Sequence, residues 1–166
     1  MNILLLLPLL LAAAPARSAE KFTAEQREAR FAYDLGPKTV DVSSYPKEQR
    51  ENYASFARTC SQCHTLARPI NSPLIERADW RRYTRRMHAR TKERPGASIS
   101  PDAAKAAIEF LTYDSQVRKI KGKTAFAAKA RELEVLFAEV RLERARLEQA
   151  SDKKKTREPA PYMGGR

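Results

Sequence analysis

Glycine, cysteine and histidine are scarce in this chain of 166 residues, which contains five glycines, two cysteines and two histidines. There is no glycine-rich phosphate-binding loop, and neither a nucleophile elbow nor a paired-carboxylate motif is present. These absences argue against an enzyme. The longest apolar segment, at the N-terminus, is also shorter than the roughly 20 residues that a transmembrane helix needs.

Acidic residues are in deficit as well, with 20 Asp and Glu against 32 Lys and Arg and a formal net charge of +12. A basic protein is suited to nucleic acid, to an anionic membrane surface or to an acidic protein partner. The chain has no nucleic-acid-binding motif, and the N-terminal segment described next predicts export. We therefore expect redox protein partners with acidic docking surfaces and no nucleic acid, with an anionic membrane surface as the second possibility. The oligomeric state stays open.

Residues 1–16 have the pattern of a signal peptide. The first 14 residues are almost wholly apolar, and small side chains follow at Ala14, Ala16, Ser18 and Ala19. Cleavage is expected after Ala16, and cleavage after Ala19 is the alternative. An uncleaved membrane anchor is the second interpretation of the segment. In either case the pattern predicts an exported, periplasmic bacterial protein, soluble or associated with the membrane.

Both cysteines and one of the two histidines fall within five residues, Cys60-Ser61-Gln62-Cys63-His64. This C-x-x-C-H spacing is typical of covalent haem c attachment. The two thiols add across the two vinyl groups of one haem, and the histidine that follows serves as the proximal iron ligand. A single motif predicts a single haem, which argues against a dihaem peroxidase.

Three other uses of these residues compete with haem. A thioredoxin-like C-x-x-C belongs in a βαβ context, whereas the pattern around this motif is helical. A zinc site could combine Cys60, Cys63, His64 and His88, but no C-x-x-C…H-x-x-x-H pattern is present. A disulfide between Cys60 and Cys63 would close a loop of only four residues, which gains little.

Apolar periodicity, prolines and capping residues predict an all-α fold. The main helices are expected from residue 46 to about 60, from 79 to about 91 and from 101 to about 114, with a short helix within 23–32. Residues 65–78, which contain two prolines, are expected to form a loop on the proximal side of the haem. The predicted organisation is an N-terminal arm (17–45), a haem domain (46–117), a helical extension (118–150) and a disordered basic tail (151–166).

The predicted helix over 79–91 supplies a candidate for the second axial ligand. Trp80, Tyr83 and Met87 share one face of this helix within an arc of about 60°. His88 lies about 100° away from Met87, at the edge of that face. We therefore expect Met87 to ligate the iron, although a methionine at this spacing can equally be core packing. Met163, beside two glycines in a polar tail, is a poor candidate.

Residues 46–117 resemble a single-haem, class-I-like bacterial cytochrome c domain. The resemblance rests on the C-x-x-C-H motif, on the run W-R-R-Y-T-R-R-M over residues 80–87 and on the run P-G-A-S-I-S-P over residues 95–101. The segment upstream, over residues 36–46, is similar to the lead-in of some exported single-haem cytochromes. The similarity covers less than half of the chain and does not extend to its C-terminal third.

The resemblance implies a small helical domain wrapped around the haem and an electron-transfer function. It implies His64 and Met87 as axial ligands, with Cys60 and Cys63 as covalent anchors. In small cytochromes c, a proline carbonyl in the proximal loop accepts the N–H of the proximal imidazole. By this resemblance Pro73 is the first choice for that role, and Pro69 is the second.

Two other functions stay open at this point. The protein could be a haem-based gas sensor with an open or labile distal site, or a haem-containing interaction subunit of a larger redox complex. The second alternative depends on the helix expected over 124–150, where an apolar stripe at helical spacing comprises Phe126, Ala130, Leu133, Phe137, Val140 and Leu147. Arg144 interrupts this stripe and spoils a coiled-coil seam. We therefore expect the helix to pack on its own domain or on residues 22–35, with partner docking or dimerisation as the alternative.

Overall fold

The computed structural model describes residues 21–157, and within this range the fold is helical with no strand, as predicted. The predicted signal peptide and the last part of the basic tail, including Met163, lie outside the described residues. The α-helices are α1 (Ala24–Arg27), α2 (Lys47–Cys60), α3 (Ala67–Asn71), α4 (Arg77–Arg90), α5 (Pro101–Asp114) and α6 (Lys123–Arg157). Two 3-10 turns, Ala32–Leu35 and Thr91–Glu93, and a π-helical segment, Ser115–Lys121, complete the set.

The core lies between α2, α4 and α5, the three helices predicted for the haem domain. Both α2 and α4 pack against α5. Phe56 of α2, Trp80 of α4 and Phe110 of α5 are completely buried. The rings of Phe56 and Phe110 stack with their centroids 5.2 Å apart, a geometry in which aromatic pairs attract beyond simple burial.

Helix α5 begins where its capping residues predict. The hydroxyl of Ser100 accepts a hydrogen bond from the backbone N–H of Ala103 at 3.2 Å, and Pro101 occupies the first turn. The carboxylate of Asp102 lies in that first turn, where it complements the helix dipole. The helix ends at Asp114 and continues directly into the π-helical segment.

The segment over 65–78 was predicted as a loop but contains α3. Pro69 does not prevent this helix because it lies in the first turn, where a missing N–H breaks no helical hydrogen bond. The amide of Asn71, at the end of α3, donates hydrogen bonds to the carbonyls of Ala67 at 2.7 Å and Pro37 at 2.9 Å. The bond to Pro37 joins residues that are far apart in sequence. The sequence of the proline-containing segment alone therefore does not reveal it.

The N-terminal arm is clamped onto α3. Its predicted helix within 23–32 is limited to the four residues of α1, and a 3-10 turn follows. Asp34 in this turn accepts two hydrogen bonds of 2.7 Å from the guanidinium of Arg68. Burial favours the neutral acid, but the hydrogen bonds from Arg68 and the backbone outweigh burial and lower the pKa of Asp34. The bidentate pair therefore holds the arm beside the segment that follows the C-x-x-C-H motif.

Gly36 should not tolerate a larger side chain, because the arm passes close to α3 there. A Cβ atom at this position would lie 2.4 Å from Nδ2 of Asn71. The φ angle of Gly36 is −76°, so the obstacle is steric rather than conformational. We expect Gly36→Ala to lower the free energy of unfolding by about 1–3 kcal/mol in urea titration. In an Asn71→Ala background the same substitution should cost much less, and an equal cost in both backgrounds would contradict the proposed clash.

Helix α6 packs on the chain itself. It contacts the 3-10 turn over 32–35, α1 and the π-helical segment. Leu133 and Val140 of the predicted apolar stripe are buried, whereas Leu147 is 39% exposed. The guanidinium of Arg144 donates a 2.7 Å hydrogen bond to the carbonyl of Ala29. The residue that interrupts the apolar pattern is therefore a polar contact to the N-terminal arm.

Helix α6 also runs past its predicted end. It continues from residue 151 to Arg157, into the segment predicted to be disordered. The sequence contains no glycine or proline between Lys123 and Pro159, so no local signal stops the helix earlier. The prediction of disorder depends on a run of lysines and on two prolines, but the lysines do not end a helix made of good helix formers and the prolines come only after Arg157.

Lys119 is a buried cation between the π-helical segment and the core. It is 4% exposed, and its ammonium lies 4.8 Å from the centre of the Trp80 ring and 2.8 Å from the carbonyl oxygen of Leu74. Burial lowers the pKa of Lys119 to about 7; the nearby Asp114 opposes this shift and Arg118 adds to it. The folded protein therefore holds this lysine at the border between its charged and neutral forms.

The stability of the protein should depend on pH through Lys119. Its folded-state pKa lies below the unfolded value of roughly 10.4, so the unfolded chain binds more protons between these values and stability rises with pH. From pH 7 to pH 9, the free energy of unfolding should rise by about 2–3 kcal/mol relative to the Lys119→Met variant. Urea titrations at both pH values measure this difference. The exposed Lys129→Met variant is the control, and a pH slope that survives in Lys119→Met would contradict the assignment.

Candidate haem site

The C-x-x-C-H motif lies where α2 ends. Cys60 is the last residue of α2, and Cys63 and His64 lie in the turn between α2 and α3. Both thiols are free and half-buried, and His64 is exposed. Cys60 also packs against the aromatic core formed by α2, α4 and α5. The helix thus presents one thiol from its last turn and delivers the other thiol and the imidazole just beyond it.

Met87 lies on the inner side of α4, as the helical wheel predicts. Its half-buried side chain packs against the same aromatic core as Cys60. His88 is exposed, and its Nδ1 lies 3.2 Å from the carbonyl oxygen of Ile99. The fold therefore brings Met87, and not His88, onto the core that the first cysteine also contacts.

His64 has a different hydrogen-bond partner from the proline carbonyl that the resemblance implies. Nδ1 of His64 lies 2.7 Å from the carbonyl oxygen of Thr65. Pro73 is exposed, and the carbonyl of buried Pro69 accepts a 3.3 Å hydrogen bond from the Ser72 hydroxyl. Pro69 is not in a loop facing His64, because it belongs to the first turn of α3. A second-sphere role for Pro73 stays a prediction.

Tyr83 is the site residue whose role sequence reasoning missed. It is 8% exposed, and its hydroxyl has no hydrogen-bond partner among residues 21–157. A buried hydroxyl without a partner costs about 1–3 kcal/mol. Burial, and then the proximity of Cys60, raise the pKa of Tyr83 to about 12, so the hydroxyl is a neutral donor. The signal available in the sequence is its position one helical turn before Met87, on the same face of the helix.

These residues fit a haem. The site offers two free thiols at haem-c spacing, an imidazole, a thioether and an unpaired hydroxyl donor close to Cys60. Haem carries carboxylate acceptors at its periphery, so it can supply the kind of partner that the Tyr83 hydroxyl lacks. The arm and α3 add structural support next to the motif, through Asp34 and Arg68.

The competing uses of the motif find less support. Burial, and then the neighbouring Cys63, raise the pKa of Cys60 to about 11, so this thiol stays protonated at neutral pH and is a poor redox nucleophile. The described residues contain no strand that could form a thioredoxin-like βαβ unit. In the same part of the chain, no three His, Cys, Asp or Glu side chains are placed to hold a metal ion, so the zinc set with His88 is not assembled.

Comparisons of the chain with protein-family models, with curated proteins and with solved structures found no match. In the part of the chain that the structure describes, no helix combines the length and the apolar character needed to cross a membrane. The functional interpretation therefore rests on the motif and on the geometry around it.

Proposed function

We propose that this protein is an exported electron-transfer protein carrying one haem c. Cys60 and Cys63 would attach the haem, and His64 and Met87 would be its axial ligands. The observation that carries the proposal is that Cys60 and Met87, far apart in sequence, pack against the same aromatic core. When bound, haem c supplies a one-electron iron couple.

The two axial side chains define what the site can do. If His64 and Met87 both held the iron, no position would be left for a substrate, which favours electron transfer over catalysis. A methionine ligand also raises the reduction potential relative to an all-nitrogen ligand set. The aromatic residues Phe56, Trp80 and Phe110 keep water away from the inner side of the site.

The remaining residues position the ligands. Arg68 and Asn71 of α3 both bind the N-terminal arm, so two contacts hold the segment just after His64 against that arm. The Tyr83 hydroxyl, which has no hydrogen-bond partner among residues 21–157, would be a donor available to the bound group. Covalent attachment would also stabilise the domain. A helical unit of about 70 residues has a small hydrophobic core, and a covalently bound group would enlarge that core and cross-link the chain.

Optical spectroscopy of the exported protein tests this proposal. The protein, expressed together with a haem c maturation system, should be red and should keep its haem through acid-acetone extraction. The reduced protein should not bind carbon monoxide, because both axial positions are filled. A mature chain without haem would contradict the proposal, and a shifted spectrum under carbon monoxide would favour the gas sensor.

A further inference from the structure

Helix α4 presents a continuous basic surface on the side opposite to the core. Five exposed residues form this surface, which we call the arginine face: Arg81, Arg82, Arg85, Arg86 and Arg90. At about 100° per residue they cover roughly half of the helix circumference. Trp80, Tyr83 and Met87 occupy the opposite arc, so the arginine face and the proposed iron ligand belong to the same helix.

Part of the charge on the arginine face is not compensated within the fold. Arg82 pairs with Asp79, and Arg90 lies 3.9 Å from Glu93 in a pair that is about three-quarters exposed. Among the described residues, Arg85 and Arg86 form no hydrogen bond or ion pair, and Arg81 interacts only with the charge of Glu109, whose pKa it helps to lower. The face therefore keeps unpaired guanidinium groups directed towards solvent.

The spacing of the five arginines also places like charges next to one another along α4. Arg81 and Arg85 are four residues apart on the helix, and so are Arg82 and Arg86, and Arg86 and Arg90. Like charges at this spacing destabilise a helix. An anionic group from outside the chain would reduce the repulsion within these three pairs.

We propose that the arginine face docks an acidic redox protein; this inference rests on the proposed electron-transfer function. Guanidinium groups bind carboxylates through paired hydrogen bonds, so clustered Asp and Glu side chains are the matching surface. A partner bound here would lie on the helix that carries Met87. Such charges act mainly on the rate of encounter, and they are screened beyond about 8 Å at physiological salt.

A lipid surface is the less suitable occupant. Helices that lie on membranes combine basic residues with apolar side chains that enter the bilayer. Within the described residues, the exposed large hydrophobic side chains are Phe31, Ile120, Val135, Leu142 and Leu147. None of them belongs to α4, so the arginine face lacks the apolar component of a membrane-binding helix.

The test compares Arg85→Glu with Arg131→Glu, an equal charge reversal at an exposed, unpaired position on α6. Electron transfer from a reduced, strongly acidic flavodoxin to the haem-loaded protein is followed by stopped flow at low and at high salt. Arg85→Glu should slow the reaction about tenfold at low salt and weaken its salt dependence. Arg131→Glu should have a much smaller effect. The thermal unfolding midpoint of Arg85→Glu should be unchanged or higher, because a repulsive contact with Arg81 becomes attractive.

Three results would overturn the inference. Equal rates in the two variants would show that the arginine face does not guide docking, and a lowered unfolding midpoint in Arg85→Glu would make Arg85 a structural residue. Loss of binding to phosphatidylglycerol vesicles in Arg85→Glu, with unchanged flavodoxin kinetics, would assign the face to a membrane. A chain that never acquires haem would instead contradict the proposed function, and flavodoxin binding measured by calorimetry on that chain still tests the docking surface.

Discussion

Replacing Cys60 and Cys63 together with alanine should yield a chain that carries no covalently bound haem. Each thiol forms one thioether with a vinyl group, so the double variant has no attachment point even when the maturation system is present. Haem staining after denaturing electrophoresis and the mass of the mature chain measure the result. The variant should also unfold more easily, because the prosthetic group would be part of the core of a small domain.

The matched control changes the two residues between the cysteines. Ser61→Ala with Gln62→Ala keeps both thiols and their spacing, and both side chains are exposed, so the protein should still be haem-loaded. If the double cysteine variant retained covalent haem, or if the wild type never acquired it, the motif would have another role.

Substituting Met87 with alanine should abolish the weak sulfur-to-iron charge-transfer band of the oxidised protein. It should also lower the reduction potential by on the order of 0.1 V, because axial ligands tune haem potentials over several tenths of a volt. Absorption near the red edge of the spectrum and a redox titration measure the two effects. The reduced variant should bind carbon monoxide at the vacated position.

His88→Ala is the matched control for this experiment. His88 is exposed and adjacent to Met87 in sequence, so its removal should leave the band and the potential nearly unchanged. Persistence of the band in Met87→Ala would transfer the role of ligand to Met163. A bis-histidine spectrum in the wild type would make His88 the ligand, and α4 would then have to rotate to bring this residue inward.

Local signals account for the parts of the fold that were predicted correctly. The α5 start depends on Ser100 and Pro101, and both act within one helical turn. The orientation of α4 follows from the 3.6-residue period of its aromatic residues. The spacing of Cys60, Cys63 and His64 is also local, because the chemistry of attachment demands residues that are close in sequence.

Apart from the extra length of α6, the errors and omissions concern contacts between distant segments. The prediction of a loop over 65–78 depends on prolines that are visible in the sequence, whereas the hydrogen bonds from Asn71 of α3 to the arm are not. Tyr83 was identified as buried, but whether a buried hydroxyl finds a partner depends on every neighbouring element. Arg144 interrupts the apolar stripe in the sequence, and only the structure shows that it donates a hydrogen bond to the carbonyl of Ala29.

The sequence by itself determined the helical class, the principal helices, the face of α4 and the five residues that predict haem attachment. These features depend on periodicity, capping and covalent spacing, which operate over a few neighbouring residues. Only the tertiary structure decided that Met87 shares a core with Cys60, that α6 packs on the arm, and that Lys119 is buried against Trp80. Such pairings depend on which surfaces exclude water together, and that is a property of the whole chain.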